Sequence, residues 1–262
     1  MKKILFTLAC VLTLVLSSCL DDTGSNYTFT YSRVVTIDTT SSPISLVADC
    51  TGEVFKNIEN LKYTEHLSQF GLSNASRAEV YIQQDIDASY NQTLTLLQAE
   101  KINIQAVTNK EITDKTLPLL AWLQKPLGDI YNPTVWVSGY YLNVVPIIPS
   151  SRLGKYYLTA DHVAGDTLFF NLTASYNEDS SKQMIDYLQC YDLRTLCDTA
   201  NADPKQRAKM EEVLAGIELH QRDSMRIVLI GDFIEYNFNY QGKDTIRTAG
   251  HITNYFRCNF IE

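Results

Sequence analysis

Positive charge is scarce in this chain, and the scarcity excludes one large class of partners. Its 262 residues include 22 Lys and Arg against 30 Asp and Glu, which gives a net charge of −8 at pH 7. Binding to nucleic acid depends on cationic side chains that displace the counterions of the phosphates. An acidic chain whose Lys and Arg are dispersed is therefore expected to bind no nucleic acid.

Motifs that mark enzymes and metal sites are also scarce. The sequence has 4 His and no Gly-x-Ser-x-Gly elbow, although Asp161-His162 and a serine would suit a hydrolase triad. No Cys-x-x-Cys motif and no cluster of His indicates a zinc site. The paired carboxylates Glu211-Glu212 are typical of the solvated side of a helix. We therefore expect no catalytic residue, no metal and no cofactor.

Long apolar runs are absent except at the N-terminus. Met1-Lys2-Lys3 is followed by an apolar run from Ile4 to Leu16, which predicts a signal peptide over residues 1–18. The run is too short for a membrane-spanning helix, which needs about 20 residues. Leu16-Ser-Ser-Cys19 resembles the lipobox of bacterial lipoproteins, so Cys19 is predicted to carry a lipid. A plain signal peptide with an incidental cysteine is the alternative.

The residues after Cys19 predict a tether and a location. Cleavage before Cys19 would remove Lys2 and Lys3 and lower the net charge from −8 to −10. Acyl chains on Cys19 would hold the protein on the outer membrane, facing the cell surface or the periplasm. Residues 19–32 are predicted to be an acidic tether. Asp21 and Asp22 resemble a surface-export signal of some gut and oral bacteria, and a solvated tether is the alternative.

Strand patterns dominate the rest of the chain, as its 16 Tyr and 10 Phe suggest. In Ala78–Ile82 apolar and polar residues alternate, which predicts a half-buried strand. The alternation between Thr93 and Ile104 breaks near Ala99 and indicates a bulge or a bend. Five short strands, with a helical turn at Glu65–Phe70, predict a small β-barrel over residues 33–110.

The second half of the chain has a different organisation. Residues 111–133 contain three prolines and are predicted to be a packed linker. From residue 134 to 262 regularly spaced short strands predict an antiparallel β-sandwich. One helix is predicted at about 204–217, because Asp203-Pro204 supplies an N-cap and a first-turn proline. One face of that helix would be apolar, through Met210, Val213, Leu214 and Ile217.

Several segments of the sequence resemble segments of the NigD-like lipoproteins. Arg77–Ile82 and Leu94–Ile104 resemble strands of that family's barrel, and Val135–Val144, with Tyr-Leu-Asn-Val, resembles the opening of its sandwich. The resemblance implies an N-terminal OB-type barrel and a C-terminal β-sandwich. It also implies a role in immunity to a bacteriocin, and it supplies no catalytic residues.

The remaining cysteines allow several pairings in an exported protein. Cys190 and Cys197 are close in sequence and would close a small loop. Cys50 with Cys258 would then tie the two predicted domains together. Buried thiols are the alternative for all four.

Two further features point to modification and binding. Asp198-Thr199 and Asp244-Thr245 resemble a short O-glycosylation motif, which predicts modification of Thr199 and Thr245. Several aromatic residues would suit a carbohydrate or peptide platform, or would simply divide between core and surface: Tyr140, Tyr141, Tyr156, Tyr157, Tyr236, Tyr240, Trp122 and Trp136.

These observations favour a non-catalytic lipoprotein of the cell envelope. The expected role is binding or scaffolding at the outer membrane, with a peptide, protein or glycan as partner. A bacteriocin immunity protein is the first alternative. A hydrolase or carbohydrate-processing enzyme is the second.

Overall fold

The computed structural model describes residues 26–49, 51–114, 116–117, 119–120, 135–145, 153–176, 188–220, 224–235 and 245–252. Contacts divide the chain into two units. The first comprises residues 1–48 and 53–101, and the second comprises residues 49–52 and 102–262. The described residues are mainly strands with one α-helix, so the predicted fold class is confirmed.

The first unit is a five-stranded antiparallel sheet in the order β3-β2-β1-β4-β5. Its strands are β1 Tyr27–Asp38, β2 Ser45–Ala48, β3 Val54–Phe55, β4 Arg77–Ile86 and β5 Gln92–Lys101. A 3₁₀ helix at Thr64–Phe70 occupies the position of the predicted helical turn. The bulge is present too, because the β4–β5 register slips between Tyr81 and Ile82 and leaves Leu97 unmatched.

Alternation along the strands builds the core of the first unit. Ala78, Val80 and Ile82 are buried in β4, while Tyr81 between them is exposed. The connection from β3 to β4 contributes further buried side chains, including Ile58 and Leu61. Burial of each large aliphatic side chain stabilises the fold by about 1.5–3 kcal/mol.

Asn60 links that connection to the edge strand β5. Its amide nitrogen donates to the carbonyl of Leu96 at 2.8 Å. The backbone N–H of Leu96 donates to the Asn60 amide oxygen at 3.0 Å. The backbone N–H of Glu59 donates to the carbonyl of Leu94 at 2.9 Å. Polar groups of β5 that would otherwise need water are thereby satisfied by the chain that follows β3.

The second unit has two sheets. One has the order β6-β13-β10-β9, and the other has the order β11-β12-β14-β15, with β7 on β12 and β8 on β14. The strands are β6 Ile104–Ala106, β7 Thr116–Leu117, β8 Leu119–Leu120, β9 Val135–Ser138, β10 Tyr141–Val144, β11 Leu153–Ala164, β12 Thr167–Tyr176, β13 Gln189–Asp192, β14 Arg226–Glu235 and β15 Thr245–Ile252. Most pairs are antiparallel, and the pairs β6–β13, β12–β14 and β8–β14 are parallel.

One apolar core joins the two sheets of this unit to the helix. Leu142 and Tyr191 enter it from one sheet, and Leu158 and Phe170 enter it from the other. Alternate residues of β12 are buried in this core, with Leu168, Phe170, Leu172 and Ala174 at 4% exposure or less. The sandwich arrangement follows, because each sheet buries one face against the other.

The helix α1, Pro204–His220, begins where its cap was predicted and extends three residues beyond the predicted end. The Asp203 carboxylate accepts the backbone N–H of Gln206 at 2.9 Å. Met210, Val213 and Ile217 are buried on its inner face. Gly216 lies against Val163 of β11, so closely that an added Cβ would be 2.6 Å from Val163 Cγ2.

Three boundaries differ from the sequence-based expectation. β1 starts at Tyr27, inside the segment that was predicted to be a tether, because Tyr27, Phe29 and Tyr31 alternate with polar residues as a strand requires. Ile104 belongs to β6 and pairs with Cys190 of the second unit. Residues 116–120 of the predicted linker supply β7 and β8 to a sheet.

Candidate functional site

A tight turn and a 3₁₀ helix place Arg194 over Tyr140. Ser138 pairs with Tyr141, so β9 and β10 are joined by the two residues Gly139 and Tyr140. Gly139 has a φ of 58°, the left-handed conformation that the first position of a type II′ hairpin turn requires. The carbonyl of Tyr140 accepts the backbone N–H of Leu193 at 3.0 Å, which brings the start of the 3₁₀ helix Leu193–Cys197 beside the turn.

We name Tyr140, Asp192 and Arg194 the Arg194 cluster. The Arg194 guanidinium lies 3.6 Å from the centroid of the Tyr140 ring. Asp192 accepts its Nη2 at 2.6 Å and its Nε at 2.9 Å, a two-pronged pair. Hydrogen bonds to Asp192 raise the pKa of Arg194. The result is a half-exposed, fixed cation on an aromatic ring, and Arg and Tyr are residue types that concentrate binding energy at interfaces.

A second polar cluster joins helix α1 to β11. The Asp161 carboxylate accepts Lys209 Nζ at 2.8 Å and is bonded to His162 Nδ1 at 2.9 Å. The His162 ring stacks on Phe169 with centroids 4.2 Å apart. Burial disfavours the charged carboxylate, but the hydrogen bonds from Lys209 and His162 outweigh it and lower the pKa of Asp161.

This cluster is the Asp–His pair that the sequence suggested for a hydrolase triad. Within the described ranges no hydroxyl or thiol is hydrogen-bonded to His162, and a triad needs a nucleophile within about 3 Å of the imidazole. The carboxylate that would orient the imidazole is shared with Lys209. The arrangement therefore fixes the helix to the sheet.

A buried carboxylate explains the asparagine of the Tyr-Leu-Asn-Val phrase. Asp49, which groups with the second unit, is 5% exposed. Its Oδ2 accepts Trp136 Nε1 at 2.8 Å and Asn143 Nδ2 at 3.4 Å. Asn143 is fully buried in β10. Buried polar groups must be hydrogen-bonded, so the asparagine amide and the tryptophan indole provide donors to the Asp49 carboxylate.

The aromatic residues of the predicted platform that the structure describes do not share one surface. Tyr141 and Tyr156 are buried in the core, whereas Tyr140 and Tyr157 are half-buried. The Tyr157 hydroxyl donates to Asp114 at 2.6 Å. Trp122, Tyr236 and Tyr240 lie outside the described residues. The aromatic residues that the structure does describe thus divide between core and surface, as the plainer interpretation expected.

The structure corrects the predicted local disulfide. Cys190 is buried in β13, where it pairs with Asn143 on one side and Ile104 on the other. Cys197 ends the 3₁₀ helix Leu193–Cys197 and is exposed. In the structure the two thiols are not bonded to each other.

The other predicted site residues are placed as follows. Thr199 starts a short 3₁₀ helix and is half-buried. Thr245 is the first residue of β15 and pairs with Glu235, so it lies in a strand and not in the loop expected for it. Glycosylation of either residue stays a prediction. Cys19, Asp21, Asp22, Cys50 and Cys258 lie outside the described residues.

Two features are absent from the described residues, a metal-binding cluster and a membrane-spanning helix. They hold no group of three or more His, Cys, Asp or Glu side chains that would bind a metal ion. No helix among them has the length and hydropathy needed to cross a membrane.

One surface was missed by sequence reasoning, which assigned it to the tether. Tyr27 and Phe29 of β1 are 48% and 45% exposed. Tyr31 lies two residues further on the same face, and its hydroxyl hydrogen-bonds to the side-chain amide oxygen of Gln84. The signal was available, since Tyr27-Thr-Phe-Thr-Tyr31 alternates aromatic and hydroxyl residues.

Comparison with known proteins concerns the fold. No protein-family model matches the chain, and no curated protein matches it. Among solved structures, a candidate lipoprotein from Bacteroides fragilis has a TM-score of 0.52 and 14% identity, covering 88% of this chain and 100% of its own. A candidate toxin-related protein from Parabacteroides distasonis has a TM-score of 0.45 and 12% identity, covering 85% and 93%.

A third solved structure is a NigD-like immunity protein from Bacteroides caccae, with a TM-score of 0.43 and 12% identity, covering 86% of this chain and 96% of its own. The structures similar to this chain thus include a NigD-like protein, the kind that its sequence phrases resemble. The chain shares its fold with the candidate lipoprotein of Bacteroides fragilis.

Proposed function

We propose that the chain is a lipid-anchored, NigD-like protein of the cell envelope that binds or scaffolds and does not catalyse. The observation that carries the proposal is Leu16-Ser-Ser-Cys19 at the end of a signal-like segment, in a chain that shares its fold with a candidate lipoprotein. The first unit would be an OB-type barrel, which the strand order and the Asn60 link to β5 support. The lipid would hold both units at the outer membrane.

The polar clusters of the second unit support binding over catalysis. The Arg194 cluster offers a fixed cation and ring at the surface. The Asp161–His162 pair is engaged by Lys209 and Phe169, which supports a structural role for it. A hydrolase remains the weaker proposal, and it requires that His162→Ala abolish turnover of an ester, peptide or glycoside substrate.

Membrane fractionation tests the anchor. Cys19→Ala is expected to move the protein from the membrane fraction to the soluble fraction, because each acyl methylene contributes about 0.8 kcal/mol to membrane binding. Cys10→Ala is the matched control, since it changes a cysteine of the same segment and should leave fractionation unchanged. Retention of the Cys19→Ala protein in membranes would refute the proposal.

Protease treatment of intact cells then tests the orientation. If Asp21 and Asp22 direct export, the wild-type protein is cleaved from outside and Asp21→Ala/Asp22→Ala is protected. If both proteins are protected until the outer membrane is opened, the protein faces the periplasm.

Immunity to a bacteriocin would be one form of this binding role. The acidic charge of the chain favours a cationic peptide as the bound molecule. Deletion of the gene should then sensitise the cell to that peptide, and a complemented strain should recover.

A further inference from the structure

Two thirds of strand β1 has a single neighbouring strand among the described residues. β1 is 12 residues long. β4 pairs with it from Tyr27 to Thr36, whereas β2 pairs only with Val35–Asp38. Among the described residues, therefore, the stretch 27–34 has one open side. Prolines and charged side chains commonly protect such an edge, and this stretch has no proline and one charged residue, Arg33.

The register shows which backbone groups face that open side. The backbone N–H of Ile37 donates to the carbonyl of Ser76 at 2.8 Å, which continues the β1–β4 register by one pair. In an antiparallel ladder, alternate residues bond to the same neighbour. Odd-numbered residues of β1 therefore direct their N–H and C=O groups to β4, and even-numbered residues direct theirs to the other side.

The β2–β3 pair confirms this alternation independently. The backbone N–H of Ala48 donates to the carbonyl of Glu53 at 2.8 Å, so Ala48 faces β3 and Val47 faces β1. Val47 is opposite Thr36, an even-numbered residue. Thr28, Thr30, Ser32 and Val34 thus direct their backbone groups outward, and we name these residues the β1 edge. The Ser32 carbonyl already accepts Arg33 Nη1 at 2.9 Å, so Ser32 offers mainly its N–H to an added strand.

The two faces beside the β1 edge differ in chemistry. On the inner face lie the half-exposed rings of Tyr27 and Phe29. On the outer face two carboxylates of β4 accept hydrogen bonds from side chains of β1. Thr28 donates to Asp85 at 2.7 Å, and Ser32 donates to Glu79 at 3.2 Å. A strand added at this edge would place alternate side chains against aromatic rings and near carboxylates.

We propose that the β1 edge binds an extended peptide of alternating apolar and basic residues by strand addition. Main-chain hydrogen bonds from Thr28, Thr30, Ser32 and Val34 would hold it. Its apolar side chains would contact Tyr27 and Phe29. The inference names a partner class for the binding role proposed above and rests on that role.

Charge complementarity favours such a peptide over a second copy of the chain. In two copies joined edge to edge, Asp85 and Glu79 of one copy would lie about three strand spacings, or about 14 Å, from the same carboxylates of the other. A second copy, with the same net charge of −8, therefore supplies no alternating row of cations to these carboxylates. A basic peptide places opposite charges there.

The test uses the full-length protein in detergent and a labelled peptide of about eight residues that alternates Val and Lys. Fluorescence polarisation should show saturable binding. A peptide with Glu in place of Lys should bind at least about tenfold more weakly. Equal binding of the two peptides, or no binding of either, would overturn the proposal.

Two variants test the backbone and the charges separately. Thr30→Pro removes an outward N–H at the middle of the β1 edge while leaving the bonds to β4, and it should weaken binding at least about tenfold. Thr30→Val keeps the N–H and should bind like the wild type.

Because the proline variant could fail to fold, Glu79→Lys/Asp85→Lys provides the second test and should reverse the preference toward the Glu peptide. An unchanged preference in this double variant would contradict the proposal.

Sedimentation equilibrium separates the remaining outcomes. A monomer in the absence of peptide is expected, and a dimer that Thr30→Pro dissociates would assign the edge to a second copy and overturn the peptide proposal. The membrane fractionation of Cys19→Ala is independent of these measurements. A protein that is released by Cys19→Ala but binds no peptide would refute this inference and leave the anchor proposal intact.

Discussion

Replacing Gly216 by alanine should destabilise the second unit, although this substitution usually stabilises a helix. Gly216 lies in α1 against β11, and an added Cβ would lie 2.6, 2.8 and 2.9 Å from Cγ2, Cγ1 and Cβ of Val163. Carbon atoms in ordinary van der Waals contact are about 3.5–4.0 Å apart. The helix or β11 must therefore move when the methyl group is present.

The magnitude follows from two opposing effects. Alanine is favoured over glycine in a helix interior by about 1 kcal/mol. Overpacking of a packed interior costs about 1–3 kcal/mol. Rotation of the Val163 side chain cannot relieve the contact to its own Cβ, so the cost should lie near the upper end. We expect a net loss of about 1–2 kcal/mol, or about 2–8 °C in melting temperature.

Calorimetry of the purified chain measures this loss against two controls. Ala215→Gly changes the exposed neighbouring residue of the same helix and should cost about 1 kcal/mol through helix propensity alone. In a Val163→Ala background, two of the three close contacts are gone, so Gly216→Ala should cost less than it does in the wild type. If Gly216→Ala raised the melting temperature by as much as Ala215→Gly lowers it, close packing at Val163 would be disproved.

Two further predictions concern the cysteines and the Asp161 cluster. Iodoacetamide should label Cys197 in the native protein and Cys190 only after unfolding, as peptide mapping would show, and a Cys190–Cys197 cross-linked peptide would contradict the structure. Because the pKa of Asp161 is lowered in the folded state, its contribution to stability is present above the unfolded pKa of about 3.9 and is lost as the pH falls through the lower folded value. Asp161→Asn should therefore reduce the loss of stability between pH 7 and pH 3, and an unchanged difference in unfolding free energy would refute the assignment.

Local patterns in the sequence predicted much of the fold. The cap at Asp203 and the apolar spacing of α1 predicted the position of the helix, because both signals come from residues close in sequence. The alternation in Ala78–Ile82 predicted a half-buried strand, and Ala78, Val80 and Ile82 are buried in β4 while Tyr81 is exposed. The resemblance of Val135–Val144 to a known phrase located β9 and β10, although it did not reveal why Asn143 is there.

Contacts between distant residues could not be predicted in the same way. Leu117 and Leu119 flank a proline, and only the neighbouring strands β12 and β14 make them part of a sheet. The predicted cysteine pair was close in sequence, but proximity does not determine the direction of a side chain. Asp161-His162 was visible as a dipeptide, whereas its engagement by Lys209 depends on how α1 packs against β11.

Asn60 places an evolutionary constraint on the first unit. The Asn60 side chain replaces a peptide group, since it both donates to and accepts from the backbone of Leu96. Aspartate lacks the donor, and serine is too short to supply both groups at that spacing. Either replacement would remove at least one of the two hydrogen bonds to Leu96 and would weaken the attachment of this connection to β5.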